Sequence, residues 1–267
     1  MRIATWNVNS LKVRLPHVLA WLAANPVDVL CLQETKLVDA KFPVVELQAA
    51  GYGVFFTGQP SYNGVAILYR VESGTVTTGD QAATAPKLLA DRIPGFADEQ
   101  KRLIAVEFND LIAICGYFPN GQALDSDKFQ YKLAWIDSLR DWLTTLRGQA
   151  KPIVLAGDFN IAPEDRDVHD PVLWAGQLHC SPQERQRFFD LVELGLVDSF
   201  RAFEQPPKLY SWWDYRQLGF RRNAGLRIDH ILIDERLRSR LTACHIDKDP
   251  RRKEQPSDHT PVIATLS

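Results

Sequence analysis

Cysteine is scarce in this sequence, and its few occurrences argue against both a disulfide framework and a cysteine-bound metal. The four cysteines, Cys31, Cys115, Cys180 and Cys244, lie far apart, and no two have metal-ligand spacing. Cys31 and Cys115 fall within apolar runs, where a reduced cysteine packs as a small hydrophobic side chain. This pattern is typical of reduced core cysteines in a cytoplasmic protein.

The sequence also lacks a long hydrophobic run and a strong charge of either sign. No apolar segment is long enough to span a bilayer, and residues 1–6 already have the pattern of a strand instead of a signal peptide. The net charge is −2, so bulk charge argues neither for nor against a polyanionic partner. We therefore expect a cytoplasmic protein without membrane contact, and a monomer is the default expectation.

Hydrophobic residues are plentiful enough for a substantial core. They make up 45% of the 267 residues, and the aromatic residues include 7 Trp and 13 Phe. A disordered chain would have far fewer. The sequence contains no linker, low-complexity tract or short repeat, and we expect a single domain over residues 1–267.

Short apolar segments alternate with helical patterns in both halves of the chain. Strands are predicted at 3–6, 27–32, 53–56, 64–69, 103–108, 111–117, 153–156, 226–233 and 262–266. Helices are predicted around 15–22, 126–147 and 181–194, the last with a Ser181–Glu184 capping box. Residues 72–100 remain unassigned. Two sheets packed together with helices outside fit this alternation best.

One stretch, residues 151–160, indicates where the chemistry lies. Ile153 to Ala156 predicts a buried strand, and Gly157 follows it as a turn signal. On an extended chain Asp158 and Asn160 would point the same way, at the strand end where α/β proteins commonly bind ligands. The alternative is a plain strand-to-loop turn, because Gly, Asp and Asn favour turns for local reasons.

An acidic residue inside an apolar strand needs a partner, because an unpaired buried charge costs several kcal/mol. Asp229 is such a residue, and His259 is its predicted partner. Their pairing would fix the imidazole tautomer and raise its basicity. His230 is the other chemical candidate, but it would alternate to the opposite face of the strand. Taken alone, His259 is better explained as a satisfied surface histidine.

Eight short motifs carry a family resemblance that runs from Arg2 to Leu266. They are WNVN (6–9), LQETK (32–36), YNGVA (62–66), YFPNG (117–121), GDFN (157–160), SWWDYR (211–216), LRIDH (226–230) and SDHTPV (257–262). Each motif alone is weak, whereas all eight in order at family spacing are highly specific. The chain resembles the exonuclease III family, within the endonuclease/exonuclease/phosphatase superfamily.

The resemblance implies a fold, an activity and a partner. The fold would be a DNase I-like four-layer α/β sandwich, with two packed mixed β-sheets flanked by helices. The activity would be Mg²⁺-dependent hydrolysis of the phosphodiester 5′ to abasic sites in base excision repair, with Mn²⁺ as a substitute. Exonuclease action from 3′ to 5′ and 3′-phosphatase or phosphodiesterase action would accompany it. The partner would be duplex DNA with abasic sites or blocked 3′ ends, which places the protein at the nucleoid.

The same resemblance implies the metal ligands. Glu34 is the predicted primary ligand of Mg²⁺, which prefers hard oxygen donors. Asn7 would support the metal or the phosphate, and Asp258 or Asp229 would be further ligands in some arrangements. One-metal and two-metal schemes use overlapping residues, and both remain open.

The predicted catalytic groups are one base and several donors. Asp158 would act as general base or orient the attacking water, and Asn160 would position that water. His259, held by Asp229, and Tyr117 would donate to the phosphate as negative charge develops. The acid that protonates the leaving group is either His259 or a metal-bound water.

A mixture of aromatic and basic residues after position 207 predicts the DNA contacts. Trp212 resembles the aromatic residue that walls the pocket for a base-free sugar, although such a loop can also be packed by its own aromatic residues. Contacts to backbone phosphates are predicted at Lys36, Asn63, Asn120, Arg221 and Arg222. The sequence has no helix-turn-helix or zinc finger, so binding should follow DNA shape and damage.

Two competing interpretations remain. Sphingomyelinases, inositol-polyphosphate 5-phosphatases and poly(A) deadenylases share the superfamily scaffold, and activity on those substrates would favour them. A catalytically dead DNA-binding module is the other, and a cleavage that EDTA abolishes would exclude it.

Overall fold

The apolar segments form two six-stranded sheets and one small hairpin in the computed structural model, which describes residues 1–71 and 85–267. The strands are β1 (Arg2–Asn7), β2 (Val29–Gln33), β3 (Tyr52–Thr57), β4 (Val65–Arg70), β5 (Lys87–Ala90), β6 (Leu103–Glu107), β7 (Ile112–Tyr117), β8 (Ile153–Asp158), β9 (Leu196–Asp198), β10 (Trp212–Trp213), β11 (Gly225–Leu226), β12 (Asp229–Asp234), β13 (Leu241–Ile246) and β14 (Val262–Leu266). The helices are α1 (Leu11–Ala24), α2 (Val44–Ala49), α3 (Asp127–Arg147), α4 (Pro171–Trp174) and α5 (Pro182–Glu193). Of the unassigned stretch 72–100, residues 72–84 lie outside the described residues.

Both large sheets are mixed. The first has the order β13-β14-β1-β2-β4-β3, and the second has the order β5-β6-β7-β8-β12-β9. Within them β1 runs parallel to β2, and β7 runs parallel to β8, whereas the other pairs are antiparallel. Strands β6 and β7 form an antiparallel hairpin, which agrees with the strands predicted at 103–108 and 111–117.

Three apolar layers hold the sheets and helices together. The central layer joins the inner faces of both sheets, with Cys31 and Ile67 from one and Ala156 and Ile231 from the other. The outer face of the first sheet packs against α1 and α2. The outer face of the second sheet packs against α3 and α5. This arrangement confirms the predicted four-layer α/β sandwich with a DNase I-like fold.

Two details of the surface and core agree with the composition. All four cysteines are free and buried. Among the described residues, no helix has both the length and the apolar character needed to cross a membrane.

The N-terminal ends of α3 and α5 lie where the sequence predicted them, but the buried face of α3 is not wholly apolar. Ser126 caps α3 by accepting from the backbone N–H of Phe129, and Ser181 with Glu184 forms the predicted capping box of α5. On α3, however, the buried face includes Lys132, while Leu133 is only partly buried. The apolar positions of this helix therefore admit one charged side chain.

Two predictions about strands were wrong. Gly157 is not a turn residue, because it lies inside β8 at its closest approach to β7, where a Cβ would overlap the carbonyl oxygen of Gly116. The segment 226–233 is not continuous either. It breaks at residues 227 and 228, so that Leu226 pairs with Trp212 and Asp229 begins β12.

The registers bring the polar strand ends to one edge of the sandwich. Tyr117 lies opposite Asp158 on the parallel strands β7 and β8, and Asp158 lies opposite Asp229 on β12. In the other sheet Asn7 is the last residue of β1, and Glu34 directly follows β2. Residues far apart in sequence thus meet because their strands are neighbours.

Replacing Gly157 with alanine should destabilise the protein. The added methyl group meets backbone atoms of Gly116, and forcing a group into a packed site usually costs about 1–3 kcal/mol. Urea denaturation followed by circular dichroism measures the change in unfolding free energy. Gly148→Ala is the control, because the nearest atom to its Cβ would be 3.3 Å away. An equal loss in both variants would show that the close approach is not the cause.

Candidate active site

The site is built around a buried amide that joins two carboxylates. The Nδ2 of Asn7 donates to Oε1 of Glu34 at 2.9 Å and to Oδ2 of Asp158 at 2.9 Å. Its Oδ1 accepts from the backbone N–H of Asn9. In this amide orientation Asn7 joins the two carboxylates through its Nδ2, and its role in supporting the metal or the phosphate stays a prediction.

Asp158 and Asn160 do converge, but not because both are extended. Asn160 lies beyond the end of β8 with a φ of 51°, in the left-handed region. Its backbone N–H donates to Oδ1 of Asp158 at 2.9 Å, and its Nδ2 lies 3.3 Å from Oδ2. This Asx-type turn holds the amide beside the carboxylate.

Asp229 and His259 form the predicted pair. The Nδ1 of His259 lies 2.9 Å from Oδ2 and 3.1 Å from Oδ1 of Asp229, and both residues are buried. The Nε2 of His259 lies 3.7 Å from Oδ2 of Asp158. His230 points to the opposite face, as expected, where its Nε2 lies 2.9 Å from the carbonyl oxygen of Ile161.

The pKa values of Asp158 and His259 are both raised, although burial acts on them in opposite directions. Burial, reinforced by the Asp229 carboxylate, raises the pKa of Asp158 to about 7 despite the opposing effects of His259 and Asn7. Burial alone would lower the pKa of His259, but the carboxylates of Asp229 and Asp158 outweigh it and raise it to about 10. The imidazole is therefore a cation and a donor at neutral pH.

Tyr117 completes the row of Asp158 and Asp229. Burial and the neighbouring Glu34 and Asp158 carboxylates raise its pKa well above the usual range. The phenol therefore keeps its proton at neutral pH and remains a hydrogen-bond donor. The guanidinium of Arg102 stacks on its ring, with 4.8 Å between Cζ and the ring centroid.

Lys36 lies against the acidic centre instead of projecting outward. Its Nζ is 2.8 Å from Oε2 of Glu34 and donates to Oδ1 of Asn9 at 2.6 Å. Asn9 also donates to Oδ1 of Asp258 at 2.9 Å, and the indole N–H of Trp212 donates to Oδ2 of Asp258 at 3.0 Å. Both oxygens of Asp258 are thus engaged by protein donors.

The donor set fits a hard divalent cation. Among the described residues, Glu34, Asp158 and His259 bring ligand atoms within 4.8 Å of one another. Two carboxylates in such proximity suit Mg²⁺, which takes oxygen ligands and keeps several waters. His259 suits it less, because Asp229 occupies its Nδ1 and its proton is retained. Asp258 is not part of this group.

Two cavities flank the centre and contain most of the other predicted residues. A cavity of about 860 Å³ is lined by Glu34, Tyr117, Asn63 and Asn120. Asn63 is buried there, and its side chain donates to Gln100. A second cavity of about 450 Å³ is lined by Trp212, Trp174, Leu173 and Arg222. Arg221 is exposed and lines neither cavity.

Several contributors had little or no signal in the sequence. Asn9 stands within the first motif, so its role could have been suspected from that position. Arg102 and Lys132 lie outside every motif, and only their neighbours in the fold reveal them. Lys132 lies directly beneath Asn160, to whose carbonyl oxygen it donates at 2.7 Å.

Two carboxylates, an imidazole and a phenol meet at one edge of the sandwich, and such a set of groups is typical of enzymes that cleave phosphate esters with a metal ion. A sequence model of the Endonuclease/Exonuclease/phosphatase family matches residues 4–259. An exodeoxyribonuclease III from Haemophilus influenzae is 36% identical, and the match covers 99% of each chain. The chain belongs to the exonuclease III family of metal-dependent DNA repair nucleases, and it is a phosphodiester hydrolase.

Two solved structures are similar over the whole chain. A 3′ phosphatase from Neisseria bound to a product DNA hairpin has 42% identity and a TM-score of 0.90, covering 100% of this chain and 99% of that one. An AP endonuclease from Archaeoglobus fulgidus has 34% identity and a TM-score of 0.87, with the same coverage. The family assignment made from the eight motifs is confirmed.

Glu34→Gln should remove the stabilisation that a divalent cation gives the protein. A ligand that binds only the folded state adds about 2.7 kcal/mol at a hundred times its dissociation constant. Calorimetric melting with increasing Mg²⁺ should therefore raise the Tm of the wild type much more than that of the variant. Glu107→Gln, at an exposed pair with Lys151, is the control. The same Mg²⁺ response in all three proteins would rule out Glu34 as a ligand.

Proposed function

We propose that this protein is a Mg²⁺-dependent DNA repair nuclease that trims 3′ ends and cuts duplex DNA on the 5′ side of abasic sites. Mn²⁺ is the expected substitute metal, and the expected form is a monomer. The observation that carries the proposal is the meeting of Glu34, Asp158 and His259, whose ligand atoms lie within 4.8 Å. These groups supply what phosphodiester hydrolysis requires.

The metal belongs at the acidic side of this group. We assign Glu34 as its holder, oriented by Asn7, with Asp258 and Asp229 as further ligands only if a second arrangement exists. The bound Mg²⁺ supplies positive charge at the phosphoryl oxygens. Lys36 contacts Glu34 at 2.8 Å, so it reaches a DNA phosphate only by leaving that carboxylate.

Asp158 is the group that takes the proton of the attacking water. Its raised pKa, about 7, lies close to physiological pH, where a general base is most effective. Asn160 holds one oxygen of this carboxylate through its backbone N–H and presents its side-chain amide beside the other. A water held by this carboxylate would therefore lie beside the Asn160 amide.

His259 and Tyr117 are the donors to the phosphate. The imidazolium is fixed by Asp229 through Nδ1, which leaves Nε2–H directed at the centre. Tyr117 keeps its phenolic proton because of burial and the nearby carboxylates. Both hydrogen bonds strengthen as negative charge develops on the phosphoryl oxygens.

The two cavities provide room for DNA on either side of the centre. Trp212, in the cavity of about 450 Å³, is the proposed wall of the sugar pocket. Arg222 in that cavity, and Asn120 with Asn63 in the larger one, are the proposed phosphate contacts. Arg221, which directly precedes Arg222 in the sequence, is exposed and is also a proposed phosphate contact.

The similarities favour an order among the activities. The 3′ phosphatase from Neisseria shares 42% identity with this chain, and the AP endonuclease from Archaeoglobus shares 34%. We therefore place 3′-end trimming first and abasic incision second. A gel assay on three labelled duplexes tests this order: one nicked with a 3′-phosphate, one blunt and one abasic, each with Mg²⁺ or EDTA. Cleavage of none of them in Mg²⁺ would refute the proposed function.

Asp158→Asn and His259→Ala should each abolish nearly all cleavage while the protein stays folded. Removing a catalytic acid or base typically costs about 10²–10⁴-fold in rate. Single-turnover kinetics and melting curves measure the two properties separately. Asp141→Asn, at an exposed position of α3, is the control. Turnover like that of the wild type in either variant would refute its assigned role.

Trp212→Ala should impair abasic incision more than exonuclease action on a blunt duplex. Apolar contact with the base-free sugar contributes about 1–3 kcal/mol, or roughly 10–200-fold in kcat/KM. The ratio of kcat/KM on the two substrates is the measurement, with Trp142→Ala on α3 as a control. Equal losses on both substrates would argue against the pocket role.

A further inference from the structure

Lys132 is a charged side chain in a fully buried position. It projects from the apolar face of α3, and none of its surface is exposed. An uncompensated buried charge costs several kcal/mol, so such a lysine needs specific partners. Its partners therefore indicate why this position is not apolar.

The ammonium group has three acceptors around it. Its Nζ donates to the backbone carbonyl oxygens of Asn160 at 2.7 Å and Asn120 at 3.2 Å, and it pairs with Oε1 of Glu184. A lysine ammonium has three hydrogens, and all three are accounted for. Two of them go to the backbone of residues at the active site.

Glu184 is itself held firmly, so it anchors the lysine. The backbone N–H of His179 donates to its Oε1 at 3.0 Å. Its Oε2 accepts from the backbone N–H and the hydroxyl of Ser181 in the capping box of α5. The start of α5 therefore fixes the carboxylate, and the carboxylate fixes Lys132.

Several buried contacts hold Asn160 in its backbone conformation. Its φ of 51° lies in the left-handed region, which costs most residues about 1–2 kcal/mol and which asparagine adopts more readily. Its carbonyl oxygen accepts from Lys132, and Nδ1 of His179 lies 2.7 Å from the same oxygen. The side-chain Oδ1 accepts from Asn120, whose own carbonyl Lys132 also holds. Lys132 thus ties together the two asparagines beside Asp158.

We propose that Lys132 is a positioning residue for phosphodiester hydrolysis, acting through the backbones of Asn160 and Asn120. It keeps the Asn160 N–H on the Asp158 carboxylate, and with it the position of the attacking water. This inference rests on the proposed roles of Asp158 and Asn160. The competing explanation is an ion pair with Glu184 that only stabilises the packing of α3 on α5.

Lys132→Met and the double variant Lys132→Met/Glu184→Gln test the proposal. The double variant removes both charges, so it avoids the unpaired carboxylate that threatens folding of the single one. Leu146→Ala, buried on the same helix far from the site, is the control for lost stability. Each protein is assayed for kcat and KM on the nicked 3′-phosphate duplex in Mg²⁺, and its melting is recorded.

A positioning role predicts a fall in kcat of about 10–100-fold in both Lys132 variants, with KM little changed. Leu146→Ala should lose stability but keep its kcat at temperatures well below its Tm. A kcat like that of the wild type in the double variant, or a loss no greater than in Leu146→Ala, would overturn the proposal.

A second measurement does not depend on catalysis. In ¹⁵N spectra the side-chain amide of Asn160, which donates to the carbonyl oxygen of Phe118 at 3.1 Å, should shift in the double variant but not in Leu146→Ala. An unshifted amide would overturn the proposal even if kcat fell. A wild type inactive on every DNA substrate would instead refute the proposed function, while leaving this spectroscopic test of the lysine valid.

Discussion

The structure of the site depends on how one buried carboxylate, Asp158, is kept balanced between protonation states. Burial and Asp229 disfavour its charge, whereas His259 and the amide of Asn7 favour it. The result is a pKa of about 7, which neither an exposed aspartate nor a fully paired one would have. The balance depends on where the neighbouring groups lie, and strand register places Asp229 directly opposite Asp158.

Strand register alone cannot hold the groups that lie beyond the strands. Tyr117, Asp158 and Asp229 stand in one cross-strand row, so the second sheet fixes them directly. Asn160 lies past the end of β8 in a left-handed conformation and has no ladder to hold it. Buried polar contacts replace the ladder there, and these contacts start from the helices outside the sheet. Helix α3 thereby contributes, through Lys132, to the geometry of Asn160 beside Asp158.

The sequence predicted contacts whose cause is local or chemically compelling. An aspartate in an apolar strand needs a histidine, and Ser181 with Glu184 is a local capping signal. It could not predict the pairing of Lys132 with Glu184, because 52 residues separate them and a lysine on an apolar helix face resembles an ordinary surface residue. Gly157 was misassigned for a related reason. A glycine is required at this position because a Cβ would overlap the neighbouring strand, and the local sequence does not show which strand lies beside it.

The residues proposed for the chemistry lie at the centre of the site, whereas the cavities that could select a substrate lie beside it. The groups proposed for the reaction, a cation site, a base and two donors, would suit any phosphodiester. We therefore propose that selection among DNA ends lies in the flanking cavities, which differ in both size and lining. The cavities are not independent of the centre. Trp212 and Asn9 both donate hydrogen bonds to the Asp258 carboxylate, and Asn9 also accepts one from Lys36. Side-chain contacts through Asp258, Asn9 and Lys36 thus connect the wall of the smaller cavity to Glu34 in the acidic centre.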